Sequence, residues 1–279
     1  MDAELKKSLQ KFATQIRIGA VESIKSRGFG HIGGALSICD ALAVLYGTQM
    51  TVAPKNPKMP ERDKLVCSKG HAGPAVYSVL ALKGFYPYDE IKTLNQPGTN
   101  FPSHCDTNKT PGVDITTGSL GQGTSLAAGM ALADKLRKRD KRTFLIVGDG
   151  EINEGQCWET FMFAAAKELS NLFVLIDWNK KQLDGYTKDI LKNDDLDKKM
   201  EAFGFETVKI NGNDVEALYD ALENTKKGGN KPYAIVMDTV KGAGVTEVEQ
   251  TMGNHSMTVG VDKFDAWLDE LNTKLAAME

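Results

Sequence analysis

Two short apolar, β-rich runs, Thr143 to Val147 and Leu172 to Asp177, bracket a segment with helical patterning, and no other feature constrains the chain so tightly. Between them, Glu154 to Leu169 spaces Phe161, Ala164, Ala165 and Leu169 for one apolar helix face. Strand, crossover helix and strand make a βαβ unit, so the two strands run parallel and end at the same edge of a sheet. The first run is broken by Gly148-Asp149-Gly150, and the second ends at Trp178-Asn179. Asp149 and Asn179 are therefore expected side by side at the edge where open α/β sheets bind ligands. A carboxylate beside an amide oxygen suits a hard cation such as Mg²⁺, which keeps further positions for phosphate oxygens. Gly150 permits a diphosphate to approach the backbone, and the following helix offers its N–H groups. The pattern predicts a metal–diphosphate ligand; the same residues would also serve a tight turn with an N-capping aspartate.

The rest of the chain alternates in the same way. Helices are expected over residues 4–26, 37–48, 75–83, 86–95, 124–139, 196–203, 214–226 and 261–277. Strands are expected over 64–68, 205–210 and 233–239, with residues 180–195 as a charged loop. Ser37 is a candidate cap for the second helix, and Asn213 or Asp214 for the one over 214–226. With no internal repeat or linker, the alternation predicts an α/β fold: a doubly wound, mostly parallel sheet flanked by helices. Residues 1–279 are expected to form a single domain, long enough for one large core. The net charge of −3, with lysines mixed among acids, gives no hint of a nucleic-acid or membrane binder. No apolar run reaches the length of a membrane span, and the N-terminus lacks the apolar core of a signal peptide. Cys39, Cys67, Cys105 and Cys157 show neither metal spacing nor a dense disulfide pattern, which fits a reducing cytoplasm.

Glycine-rich loops punctuate this pattern, and the chain's four histidines all lie in such loops or in irregular ones. His31 sits in Gly28-Phe-Gly-His-Ile-Gly-Gly34, and His71 in Lys69-Gly-His-Ala-Gly-Pro74 after a strand. His104 lies in the loop from Gln96 to Pro111, and His255 downstream of Lys241-Gly-Ala-Gly244. Each alone reads equally as a loop or turn residue. Four together suggest a polar site with several proton donors, since histidine transfers protons near neutral pH.

These loops resemble those of the first domain of the transketolase family, over most of the chain. Gly148-Asp149-Gly150 with Asn179 is similar to that family's thiamine-diphosphate motif. The resemblance implies that Asp149, Asn179 and the backbone carbonyl of Lys181 hold Mg²⁺ or Ca²⁺. It assigns Gly148, Gly150, Glu151, His71 and His255 to cofactor binding. Thr116-Thr-Gly-Ser-Leu-Gly-Gln-Gly123 resembles the loop that meets the aminopyrimidine, which implicates Gly118, Ser119 and Leu120. His31, His71, His104 and His255 match histidines that serve substrate and proton transfer. Glu154 and Glu159 match acids that link cofactor sites across a dimer-like interface. Three positions depart from the common pattern: Ile32 and Ser119 stand where proline is usual, and Cys105-Asp106 follows His104 in place of Pro-Glu.

Family enzymes need a second domain whose glutamate activates the coenzyme, and one helix is all that follows the His255 region. The resemblance thus implies a diphosphate-binding subunit whose partner, a C-terminal transketolase subunit, carries the pyrimidine-binding domain, in an (αβ)₂ assembly. The implied reaction moves a two-carbon ketol unit between sugar phosphates. Two rivals are another thiamine-dependent carboligase of the deoxyxylulose-phosphate-synthase type, and a cofactor-binding homologue without catalysis.

Overall fold

A computed structural model describes residues 1–278. Its central sheet has five parallel strands: β1 (Lys64–Cys67), β2 (Thr143–Gly148), β3 (Leu172–Trp178), β4 (Glu206–Asn211) and β5 (Tyr233–Asp238). They lie in the order β1-β2-β3-β5-β4. β2 and β3 pair as the βαβ reading requires, with Gly148 opposite Asp177.

Helices cover both faces, so the inner strands are apolar over most of their length. Phe144, Ile146, Phe173, Leu175, Ile235 and Met237 point to one side. There they meet α1 (Ala3–Lys25), α2 (Cys39–Val44), α3 (Gly73–Leu82), α7 (Val215–Thr225) and α8 (Val261–Ala276). Leu145, Val147, Val174, Ile176, Ala234 and Val236 point to the other. α4 (Gln122–Leu136), α5 (Gly155–Ala166) and α6 (Leu196–Ala202) pack there. Asp214 caps α7 by accepting from the Glu216 N–H, as expected of one of its two candidates.

Several details differ from expectation. The second expected helix begins at Cys39, not Ser37, and runs into a wide π-type turn from Leu45 to Gln49. Ser37 does not N-cap that helix: its hydroxyl donates to the buried Asp177 carboxylate at 2.7 Å. The 86–95 segment is a 3₁₀ helix from Tyr88 to Thr93. The charged loop after Asn179 contains a small hairpin, Lys181–Gln182 against Gly185–Tyr186, then one helical turn, Thr187–Ile190. Phe29–Gly30 pairs antiparallel with Met257–Thr258, which ties the first histidine loop to the last.

The consequence for function is positional. β1, β2, β3 and β5 are neighbours, and their carboxyl ends lead into Lys69 and His71, Asp149, Asn179, and Lys241. Gly70 is where two of the loops touch. A Cβ there would lie 2.7 Å from the Gly118 nitrogen and 2.7 Å from the Thr117 carbonyl carbon. Because both obstacles are backbone, Gly70→Ala should lower stability by roughly 1–3 kcal/mol, read as a drop in thermal midpoint. An unchanged midpoint would mean the two loops do not press together.

Candidate active site

The loops at the carboxyl edge enclose a cleft of about 490 Å³. Its lining includes His31, His71, His104 and His255, together with Asp149, Asn179 and Lys181. The imidazoles form one cluster: ring centroids lie 5.5 Å apart for His31–His71, 5.2 Å for His31–His104, 5.2 Å for His31–His255 and 4.7 Å for His71–His255. Gly148, Gly150, Glu151, Glu154, Gly118 and Leu120 also line it. Two expected residues do not. Ser119 is exposed beside Leu120 without lining the cleft, and Glu159 lies on the exposed face of α5.

Asp149 is buried, and its carboxylate accepts from the backbone N–H groups of Lys180 at 2.6 Å and Gly150 at 2.9 Å. The Asn179 amide is fixed at both ends. Its Nδ2 donates to Asp177 at 2.9 Å, and its Oδ1 accepts from the Lys181 N–H at 3.1 Å. The Lys181 carbonyl faces the same space, where the Lys241 ammonium donates to it at 2.9 Å. One carboxylate, one amide oxygen and one peptide carbonyl thus share a rim, an all-oxygen set suited to a hard divalent cation. Among the described residues no group of three or more His, Cys, Asp or Glu side chains could hold a metal, so any cation site here depends on this mixed set. Burial, then the charge of Asp177, pushes the Asp149 carboxyl up to about 7, which marks a carboxylate short of positive partners.

Gly118 holds φ at +147°, a conformation side chains rarely adopt, and a Cβ there would lie 3.3 Å from the His104 ring. The loop leading into α4 therefore passes directly against that histidine. Glu151 braces the same region. It accepts from Ser68 Oγ at 2.5 Å, the Gly121 N–H at 2.9 Å and the Gly148 N–H at 3.1 Å. Burial pushes its carboxyl up.

Three charged residues escaped the sequence reading. Lys69 is buried, and its ammonium contacts Asp177 at 2.5 Å and the Gly34 carbonyl at 2.8 Å. Asp177 also accepts from Ser37, Asn179 and Thr239. Burial alone would raise the Asp177 carboxyl, but Lys69 and these hydrogen bonds hold it below the usual carboxylate range. Lys241 lies 3.4 Å from His255 Nδ1, and burial followed by the charge of Lys69 brings its ammonium down to about 8. The only sequence signal for the two lysines was their place, each at the end of a strand and beside a glycine.

Residues 8–274 match the family described as transketolase, thiamine diphosphate binding domain. The chain belongs to the transketolase family. It is 46% identical over 263 residues to the 6-deoxy-6-sulfo-D-fructose transketolase subunit SqwG of Clostridium sp. (strain MSTE9), covering 94% of this chain and 96% of that one. It is 39% identical over 264 residues to an apulose-4-phosphate transketolase subunit of Actinobacillus succinogenes, covering 94% and 95%. The solved transketolase of Campylobacter jejuni superposes with a TM-score of 0.86 at 28% identity, over 100% of this chain and 48% of that one. That of Leishmania mexicana gives 0.84 at 27% identity, over 97% and 46%. The chain therefore spans nearly all of the transketolase subunits it resembles and under half of the long transketolases. The transketolase-type fold and activity expected from its motifs stand, and the cleft belongs to a thiamine-diphosphate-binding domain.

The histidines of this transketolase site are held neutral. Burial, then His104 and Lys241, takes His31 down to about 4; burial, then Lys241, takes His255 down to about 3. Burial lowers His71 and His104 as well. An unfolded histidine titrates near 6.5, so between about pH 6.5 and 4 the unfolded chain binds the extra protons. The stability these residues contribute is full above about pH 6.5 and is lost as pH falls toward about 4. Asp149 acts in the opposite sense, so a difference measurement isolates the effect. Relative to the parent, His31→Gln should gain in thermal midpoint as pH drops from about 7 to 4. A pH-independent difference would make His31 an ordinary solvated histidine.

Proposed function

We propose that this chain is the diphosphate-binding subunit of a transketolase divided between two polypeptides. A separate C-terminal subunit would carry the pyrimidine-binding domain, in an (αβ)₂ assembly. The observation that carries the reading is the shared rim: Asp149, Asn179 and the Lys181 carbonyl meet in the cleft that all four histidines line. We assign these three oxygens to Mg²⁺ or Ca²⁺, held against the coenzyme's diphosphate.

When bound, thiamine diphosphate supplies the electron sink for making and breaking the carbon–carbon bond. The chain's residues do the rest. Lys241 would add positive charge beside the metal ligands, and Gly148, Gly150, Glu151, His71 and His255 would hold the diphosphate. Gly118 and Leu120 would form the aminopyrimidine wall, with Ser119 between them in the chain but outside the lining. Neutral His31, His71, His104 and His255 can donate to or accept from substrate hydroxyls and carry protons between them. Exposed apolar side chains rim the mouth: Leu120, Leu183, Ile190 and Leu191. An apolar rim of this kind favours a covering partner. Glu154 at the cleft and Glu159 on α5 would face that partner.

The substrates are ketoses and aldoses carrying a terminal anion. One relative's name specifies a sulfonated fructose, the other a phosphorylated apulose, so 6-deoxy-6-sulfofructose belongs in the first screen beside fructose 6-phosphate. Four buried free thiols support a reducing cytoplasm as the compartment.

Asp149→Ala tests the metal assignment directly. It should abolish divalent-cation-dependent thiamine diphosphate binding by calorimetry while circular dichroism and the melting transition stay close to the parent's. Full coenzyme affinity in that variant would overturn the assignment.

A further inference from the structure

Lys241 is delivered by residues 240–244, a connection with no regular structure of its own just after β5. Its depth in the cleft must therefore be set by what grips the backbone. Towards the cleft side, the Gly242 N–H donates to the Gly33 carbonyl at 3.0 Å, and Asn254 Nδ2 donates to the Lys241 carbonyl at 2.9 Å. The opposite side is gripped by charge. Arg17 on α1 and Asp40 on α2 are 7% and 6% exposed and form a two-pronged ion pair. The remaining guanidinium nitrogen of Arg17, Nε, donates to the Ala243 carbonyl at 2.7 Å. Asn213, just beyond β4, completes the frame. Its Nδ2 donates to Asp40 at 3.0 Å and its Oδ1 accepts from the Val240 N–H at 2.8 Å.

None of these three residues lines the cleft; they border a separate cavity of about 360 Å³ behind the loop. Gly244 fits the same clamp. Its φ is +99°, and a Cβ there would lie 2.6 Å from Arg17 Cδ. Two buried charges are an uncertain source of stability, because desolvation offsets their attraction. What the planar guanidinium provides is direction: three nitrogens in one rigid fork fix Asp40 and Ala243 relative to each other. Arg17 is anchored on the longest helix among the described residues, so the loop inherits the position of α1.

We propose that Arg17 and Asp40, relayed by Asn213, are positioning residues for Lys241. By holding the Val240 N–H and the Ala243 carbonyl, they set where the Lys241 ammonium stands in the cleft. They act on the anionic ligand only through it. The inference rests on the reading that Lys241 meets the coenzyme's diphosphate, and the test separates the two.

The probe is inorganic pyrophosphate with Mg²⁺, titrated by calorimetry into the full chain. Lys241→Met should weaken binding by about tenfold, the effect of removing a charged hydrogen bond to a phosphate. Arg17→Met should weaken it by roughly three- to tenfold, with Arg17→Lys between it and the parent. The decisive measurement is the double variant. Arg17→Met combined with Lys241→Met should bind no more weakly than Lys241→Met alone. Losses that multiply would show that Arg17 does not act through Lys241, and a full-affinity Arg17→Met beside a weakened Lys241→Met would also overturn the inference. No effect from Lys241→Met would instead remove the reading of Lys241 itself, and the positioning role with it. Should Arg17→Met fail to fold, Asn213→Ala takes its place in the cycle under the same criterion.

Discussion

The buried pair between Lys69 and Asp177 is the interaction on which the site depends. Lys69 is 1% and Asp177 0% exposed at the side chain, so neither charge is served by bulk water. Asp177 lies near the end of β3 and receives hydrogen bonds from Ser37, Lys69, Asn179 and Thr239. Those donors come from the segment after the first histidine loop, the second histidine loop, the turn after β3 and the loop before Lys241. One carboxylate therefore sets the mutual distances of four segments that share no regular structure. Removing one partner of such a pair typically costs about 3–5 kcal/mol, because the other charge is left buried and alone. The same carboxylate decides which end of the Asn179 amide is free. With Nδ2 donated to Asp177, Oδ1 is turned toward the Lys181 turn and the rim it shares with Asp149.

Local pattern carried the sheet and half of the site. Phe144 to Val147 of β2 and Leu172 to Ile176 of β3 are continuously apolar because both faces are covered, and that continuity is visible in any short window of sequence. Once they are parallel, Asp149 and Asn179 must share an edge, and the structure has them on one cleft. The convergence of four histidines from segments far apart in sequence is different in kind. It follows from which loops meet at one sheet edge and from the two-residue pairing of Phe29–Gly30 with Met257–Thr258. A two-residue strand has no periodicity to detect. Lys69 and Lys241 were hidden for another reason. A lysine in a loop has the same local signature whether its ammonium is solvated or buried against Asp177, and only packing separates the cases. Ser37 illustrates the converse: its position before a helix suggested a cap, but a buried charge competed for the hydroxyl and won.

Charge and neutrality are divided within the cleft in a way that suits an anionic ligand handled beside proton-transferring groups. Burial, aided by the nearby charges of Lys69 and Lys241, keeps protons off His71 and His255. A neutral imidazole offers one donor and one acceptor, whereas an imidazolium only donates. With ring centroids 4.7 to 5.5 Å apart, neutrality keeps like charges off neighbouring rings. The cations that aid this neutrality need anchors of their own, and the anchors are unlike. Lys69 has a carboxylate directly opposite. Lys241 has a peptide carbonyl, so burial and the charge of Lys69 bring its ammonium down to about 8, and its position depends on the loop that carries it. A buried cation without a direct counter-anion is the group in the site with most to gain from an arriving phosphate, and the group whose placement the surrounding scaffold must hold most firmly before that phosphate arrives.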